Sequence, residues 1–344
     1  MKIRDMLEAL RRYDGPLVRI MEVCGTHTAA IAKSGIRPLL SPKISLLSGP
    51  GCPVCVTPDG YIDGLRDWAL RRGAAVCSFG DMLKVPGRTG SLGDARAEGG
   101  DIRVLYSPFD ALKLAKAAPD TLFVFAAVGF ETIAPVYALM AERMAREGVE
   151  NLRLACALKT MPQVLDMLCA EPIDGFLAPG HVAAVTGADA FAPLAEAHKK
   201  PFCVAGFTDV AVIAGIYDLV RQVHGGAHRV HNLYPQVVTS EGNRTAQAAI
   251  RRVFEPCDAV WRGLGRIPGS GLRLREPYRA FAADLPVLPD AASPAGCRCG
   301  DVITGRIVPD ACPLFGRACT PFTPQGPCMV SQEGACGVWY TYRD

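Results

Sequence analysis

Residues 121–158 read TLFVFAAVGFETIAPVYALMAERMAREGVENLRLACAL, and their pattern decides the fold. Thr121 to Val128 is a strongly apolar run of strand length bounded by glycine, Pro135 to Glu147 has helical spacing, and Leu152 to Leu158 is a second apolar strand. A strand, a crossover helix and a second strand make one parallel βαβ unit.

The same rhythm extends in both directions. Upstream, Leu17 to Val23 reads as a strand with a helix through Ala29 to Lys33. Ile44 to Leu47 leads into Ser48-Gly49-Pro50-Gly51, and a helix from Asp59 to Arg72 precedes a strand at Ala74 to Ser78. A Gly-rich stretch from Pro86 to Gly100 reads as an exposed bridge, followed by Asp101 to Tyr106 and a helix from Pro108 to Ala118. Downstream, Gly175 to Ala178 and Phe202 to Ala205 add two more strands. So many βα units predict two sheets.

From Val237 the rhythm changes. Ser240-Glu241-Gly242-Asn243 opens a helix to about Phe254, no sheet pattern is expected in the Gly/Arg/Pro-rich segment from Arg262 to Glu276, and few periodic elements follow Pro286. The expected class is α/β, with two doubly wound, Rossmann-like parallel-sheet domains over residues 1–120 and 121–236. A small cysteine-rich domain over 237–344 would be ordered by a metal centre instead of a large apolar core.

Composition narrows the function. Hydrophobic residues make up 49% and charged residues 21% of 344 positions, which is ordinary globular composition. Thirty-seven Lys and Arg stand against 34 Asp and Glu without a long basic run, so neither nucleic acid nor a membrane is the expected partner. Met1 to Gly15 lack the apolar core of a secretory signal, and Glu131, Asp209 and Asp218 interrupt the longest apolar stretches. A cytoplasmic protein is expected, whose reducing surroundings favour metal ligation or thiol redox for its 14 cysteines over a disulfide framework.

The cysteines fall into groups. Cys77, Cys156, Cys169, Cys203 and Cys257 sit in apolar or helical surroundings and read as packing residues. Cys24-Gly25-Thr26-His27 follows the first strand, where a helix N-terminus favours a thiolate. Cys52-Pro53-Val54-Cys55 follows the second, with a spacing that suits a reversible disulfide or two ligands of one metal; a redox pair is the preferred reading. Glu131 and Pro179-Gly180-His181 follow later strands, and all four loops are expected to face one cleft, because ligand sites in open α/β sheets lie at the carboxyl ends of strands. His224, His228 and His231 have metal-like spacing but read as surface or packing residues. The last 48 residues hold Cys297, Cys299, Cys312, Cys319, Cys328 and Cys336. Four thiolates suffice for an iron-sulfur cluster, generic spacing rules do not choose among six, and structural zinc is the alternative.

Taken together, the motifs resemble the hydrogenase maturation factor HypD family. They are Cys24-Gly25-Thr26-His27, Gly49-Pro50-Gly51-Cys52-Pro53-Val54-Cys55, Gly129-Phe130-Glu131-Thr132, Pro179-Gly180-His181, Cys312-Pro313-Leu314-Phe315-Gly316 and Cys328-Met329-Val330-Ser331. Each is weak alone; their order and joint presence are specific. One departure is Ile133, where the family pattern has Thr.

The resemblance implies a scaffold for assembling the Fe(CN)2(CO) unit of nickel-iron hydrogenase. It implies work with HypC, and cyanide arriving through HypE and HypF. It further implies that Cys24 binds the transient iron carrying CN and CO, and that a 4Fe-4S cluster sits on Cys297, Cys312, Cys319 and Cys336, whose intervening gaps are 14, 6 and 16 residues. Cys299 and Cys328 would then be a second thiol pair, and Cys52 and Cys55 would exchange electrons with the cluster. His27, Glu131 and His181 carry over as cleft residues. A free-standing iron-sulfur thiol-disulfide oxidoreductase and a zinc-stabilised interaction protein are the competing readings.

Overall fold

The computed structural model describes residues 2–285 and 295–343. Eleven strands run through it in chain order: β1 (Val18–Glu22), β2 (Ile44–Ser48), β3 (Ala75–Ser78), β4 (Ile102–Val104), β5 (Phe123–Gly129), β6 (Leu152–Lys159), β7 (Gly175–Ala178), β8 (Phe202–Val204), β9 (Val230–Asn232), β10 (Phe254–Trp261) and β11 (Gly265–Leu274). They form two sheets, in the orders β2-β1-β7-β8-β9 and β10-β11-β6-β5-β3-β4. The first is parallel throughout. The second is parallel from β6 to β4 and ends in the antiparallel pair β10 and β11.

All seven residues of β5 are buried, which is why that run shows no alternation. The helix Ala134–Glu147 covers one face with Tyr137, Met140 and Met144, and ends at Gly148 in the left-handed conformation. The α/β class with two parallel-dominated sheets and a cysteine-rich tail is thus as the sequence predicts.

The sheets divide the chain differently from a cut at residue 120. The first 120 residues give β1 and β2 to one sheet and β3 and β4 to the other, and β7 to β9 return to join β1. A second difference lies beyond Val237, where β10 and β11 form a hairpin on the edge of the larger sheet instead of irregular chain. Pro256 is tolerated there because β10 is an edge strand with no neighbour among the described residues on its outer side. Residues 86–100 are not a plain exposed bridge either: a helix at Leu92–Ala97 buries Leu92 and Ala95. Arg66 ties that segment down through Ser91 O at 2.7 Å and Glu98 at 2.9 Å.

The tail is docked into the body of the protein. Cys299, Ile303, Cys328 and Met329 belong to the same apolar cluster as Val124, Ala126 and Val128 of β5 and Met21 of β1. Arg37 fastens it further. Its guanidinium donates to Glu22 at 2.7 Å and to Leu46 O at 2.7 Å, and stacks over the Trp339 ring at 4.8 Å. Glu22 is buried, which pushes its carboxyl up even against the lowering effect of Arg37. Removing one partner of such a pair strands the other charge, so Arg37→Ala is expected to cost about 3 kcal/mol. Urea unfolding measures it, and a loss well under 1 kcal/mol would show that Glu22 needs no partner.

Candidate metal and thiol site

In the first sheet β1 and β7 are neighbours, and the chain leaves β1 towards β2 on one side and β7 towards β8 on the other. Glu22 at the end of β1 is in register with both Ser48 and Leu177. The crevice beyond β1 and β7 is therefore a topological switch point, where open α/β sheets bind ligands. Three of the expected loops emerge side by side there: Cys24 to His27, Gly49 to Cys55, and Pro179 to His181.

Cys24 is the N-cap of the helix Gly25–Lys33 and is buried. Its surroundings are backbone packed on backbone. A Cβ added at Gly51 would lie 2.5 Å from both the Cα and the N of Cys24, and one at Gly25 would lie 2.5 Å from Glu333 O and Cβ. Only glycine allows these three segments to approach so closely. Gly25 N donates to Gly51 O at 3.2 Å and Thr26 Oγ1 to Glu333 Oε1 at 2.7 Å, which fixes the loops to each other and to the tail. The expected thiolate at Cys24 is not the resting form. Burial pushes the thiol up, and the backbone N–H groups of His27 and Thr26 offset only part of that. A soft cation binding here would take the sulfur as thiolate and release its proton.

The sulfurs behind Cys24 form a line. Cys55 N donates to Cys52 Sγ at 3.3 Å, and the Cys55 thiol contacts both Cys52 and Cys328. Cys328 lies 2.8 Å from Cys299, and Cys299 contacts Cys297. Burial raises the Cys55 thiol well above its ordinary range. The line ends at a chamber lined by all six tail cysteines, Cys297, Cys299, Cys312, Cys319, Cys328 and Cys336. Among the described residues no three Cys, His, Asp or Glu side chains converge closely enough to hold a single metal ion. Thiolate sulfur is the donor type that both zinc and iron-sulfur centres take, and six cysteines line this one chamber.

His27 and His181 meet through an aromatic ring. Phe207 lies between them, 4.6 Å from His27 and 4.1 Å from His181. His27 Nε2 faces Gly206 O at 3.1 Å and Ala205 O at 3.3 Å, while Nδ1 is buried without a partner. Glu131 follows β5 in the other sheet; Met161 N donates to its Oε1 at 2.8 Å and Oε2 is buried without a partner. Glu131 therefore stands on the other sheet from the three loops at the switch point, not among them as the sequence reading expected.

Burial pulls His27 down to about 4 and pushes Glu131 up to about 7, from ordinary values of 6.5 and 4.5. Between those ordinary values the unfolded chain binds more protons at residue 27 and fewer at residue 131 than the folded protein does. His27 therefore contributes stability that is full above pH 6.5 and lost towards 4, and Glu131 contributes stability that is full below 4.5 and lost towards 7. Each slope is at most about 1.4 kcal/mol per pH unit, and the two oppose. Relative to the parent, Glu131→Gln is expected to gain urea stability from about pH 5 to about 6.5, and His27→Gln to lose it. Identical pH profiles for all three proteins would contradict these protonation states.

The remaining cysteines and histidines fall as follows. Cys77, Cys169 and Cys203 are buried, and Cys156 and Cys257 are partly so. His231 is paired with Asp218 at 2.7 Å, and His224 packs edge-on against Tyr13. Glu22, Arg37 and Glu333 were not expected at the site. Glu22 ends an apolar strand and so was legible as a buried carboxylate; its partner, 15 residues away, was not.

The comparisons with known proteins run over the full length of the chain. The family described as "HypD: Hydrogenase formation hypA family" matches residues 1–343. The hydrogenase maturation factor HypD of Escherichia coli (strain K12) is 44% identical over 358 aligned positions, covering 99% of this chain and 95% of that protein. HypD of Azotobacter vinelandii is 43% identical, with 94% and 89% covered. A protein of Methanocaldococcus jannaschii, described as a putative hydrogenase expression/formation protein, is 40% identical, with 95% and 92% covered. With three of the motif loops gathered at one switch point and the likeness running end to end, this chain belongs to the HypD family of hydrogenase maturation factors.

Proposed function

We propose that this protein is the cytoplasmic scaffold on which the Fe(CN)2(CO) unit of nickel-iron hydrogenase is assembled, with HypC as partner and cyanide arriving through HypE and HypF. The observation that carries the proposal is the line of thiols from Cys52 and Cys55 through Cys328 and Cys299 to Cys297 at the chamber. Cys297, Cys312, Cys319 and Cys336 would hold a 4Fe-4S cluster, which supplies one-electron transfer when bound. Cys24 would hold the cargo iron: thiolate sulfur suits a soft, strong-field, low-spin centre. The glycine-packed loops hold that sulfur in place and keep water from it.

Burial favours this reading over a free-standing oxidoreductase. Cys52 is 4% and Cys55 3% exposed, so the disulfide of a foreign protein would reach either sulfur only if their loop moved. Such an enzyme would turn over a disulfide substrate without HypC, losing activity on Cys52→Ala and keeping it on Cys24→Ala. Anaerobic metal content tests the cofactor. A brown protein with about four irons per chain is expected; a colourless protein containing zinc would overturn the assignment.

A further inference from the structure

The wall of the cysteine chamber has a second side. Cys312 and Phe315 line both the chamber and an adjacent open cavity of ≈ 930 Å3, bounded also by Arg37, Arg317, Trp339 and Arg343. Arg37 is already matched by Glu22. Arg317 and Arg343 are exposed and form no ion pair with a described residue, and Arg343 rests over the Phe315 and Tyr340 rings at 5.7 Å. Trp339 Nε1 is buried without an acceptor. Two guanidiniums without an ion-pair partner among the described residues, set against Asp310 as the one carboxylate among the described residues that line the cavity, call for an acidic occupant. Phe322, 90% exposed in the turn just beyond Arg317, supplies the kind of aromatic contact that protein interfaces favour.

We propose that this cavity docks a small acidic one-electron carrier protein that brings reducing equivalents to the Cys312 wall. The inference rests on the cluster-bearing reading of the four cysteines. Each encounter oxidises one reduced carrier. Two carriers, with two protons, balance the conversion of one disulfide of the thiol line into two thiols.

The test uses the full-length anaerobic protein. Iron content and the visible spectrum are read first, and a preparation without a cluster would overturn the cofactor reading while leaving docking to be decided by binding alone. The probe is an oxidised acidic 2Fe-2S ferredoxin, with binding followed by interferometry. Affinity is expected to fall about tenfold between about 20 mM and about 200 mM salt. In Arg317→Glu/Arg343→Glu it is expected to be at least about tenfold weaker at low salt, with iron content and spectrum unchanged. Undiminished binding by the double variant, or affinity indifferent to salt, would overturn the proposal. So would saturable binding of citrate at the cavity with no ferredoxin binding, which would assign it to a small anion.

Discussion

Cys328→Ser is expected to slow reduction of an oxidised Cys52/Cys55 pair by about 100-fold or more, because a hydroxyl cannot form the mixed disulfide through which thiol exchange proceeds. Cys328 is the only described sulfur that contacts both Cys55 and Cys299, so its loss cuts the line in the middle and leaves both ends intact. The pair is read by alkylation and mass spectrometry after anaerobic addition of dithionite, alongside bleaching of the cluster absorbance, which the variant should retain. Cys299→Ser should behave alike. Cys156→Ser should match the parent, since Cys156 lies on β6, away from the line. Reduction of the pair at the parental rate in both line variants would mean that electrons reach Cys52 and Cys55 by another path.

Cys336→Ala is expected to remove the iron and to loosen the tail. Cys336 is buried on the short helix Ala335–Thr341, which packs against the helix Gly25–Lys33 that Cys24 caps. A small cysteine-rich segment draws much of its folding energy from its metal, on the order of 10 kcal/mol for well-studied structural sites. The variant should be colourless, lose several degrees of thermal stability and be cleaved by protease within residues 295–343. Full iron content with unchanged melting would exclude Cys336 as a ligand and point to Cys299 or Cys328 in its place.

The fold was legible where burial is uniform along the chain. β5 is buried along its whole length, so its sequence is a continuous apolar run, and β6 is apolar from Leu154 to Leu158. The hairpin β10 and β11 was not, because Pro256, Pro268, Gly269 and Gly271 imitate loop composition, and packing against β6 is what makes them a strand pair. Which strands share a sheet was also hidden. Pairing of β1 with β7 joins residues more than 150 positions apart, and no local pattern records it. At the site, motif spacing identified the cysteines but not their order in space. Cys328 stands between Cys55 and Cys299 only because Gly334 and its neighbours carry the tail against the Cys52 loop. The acidity of Cys24 was misread for a related reason: a helix N-terminus is visible in sequence, whereas the burial that outweighs it is not.

The most direct test is infrared spectroscopy of this protein purified anaerobically with HypC after expression beside the full maturation set. The complex is expected to show CN and CO stretching bands from a bound iron, and Cys24→Ala to lose them while keeping the brown 4Fe-4S colour. Bands of undiminished strength in Cys24→Ala, or none in the parent complex, would contradict the assignment of the iron-bearing role to Cys24.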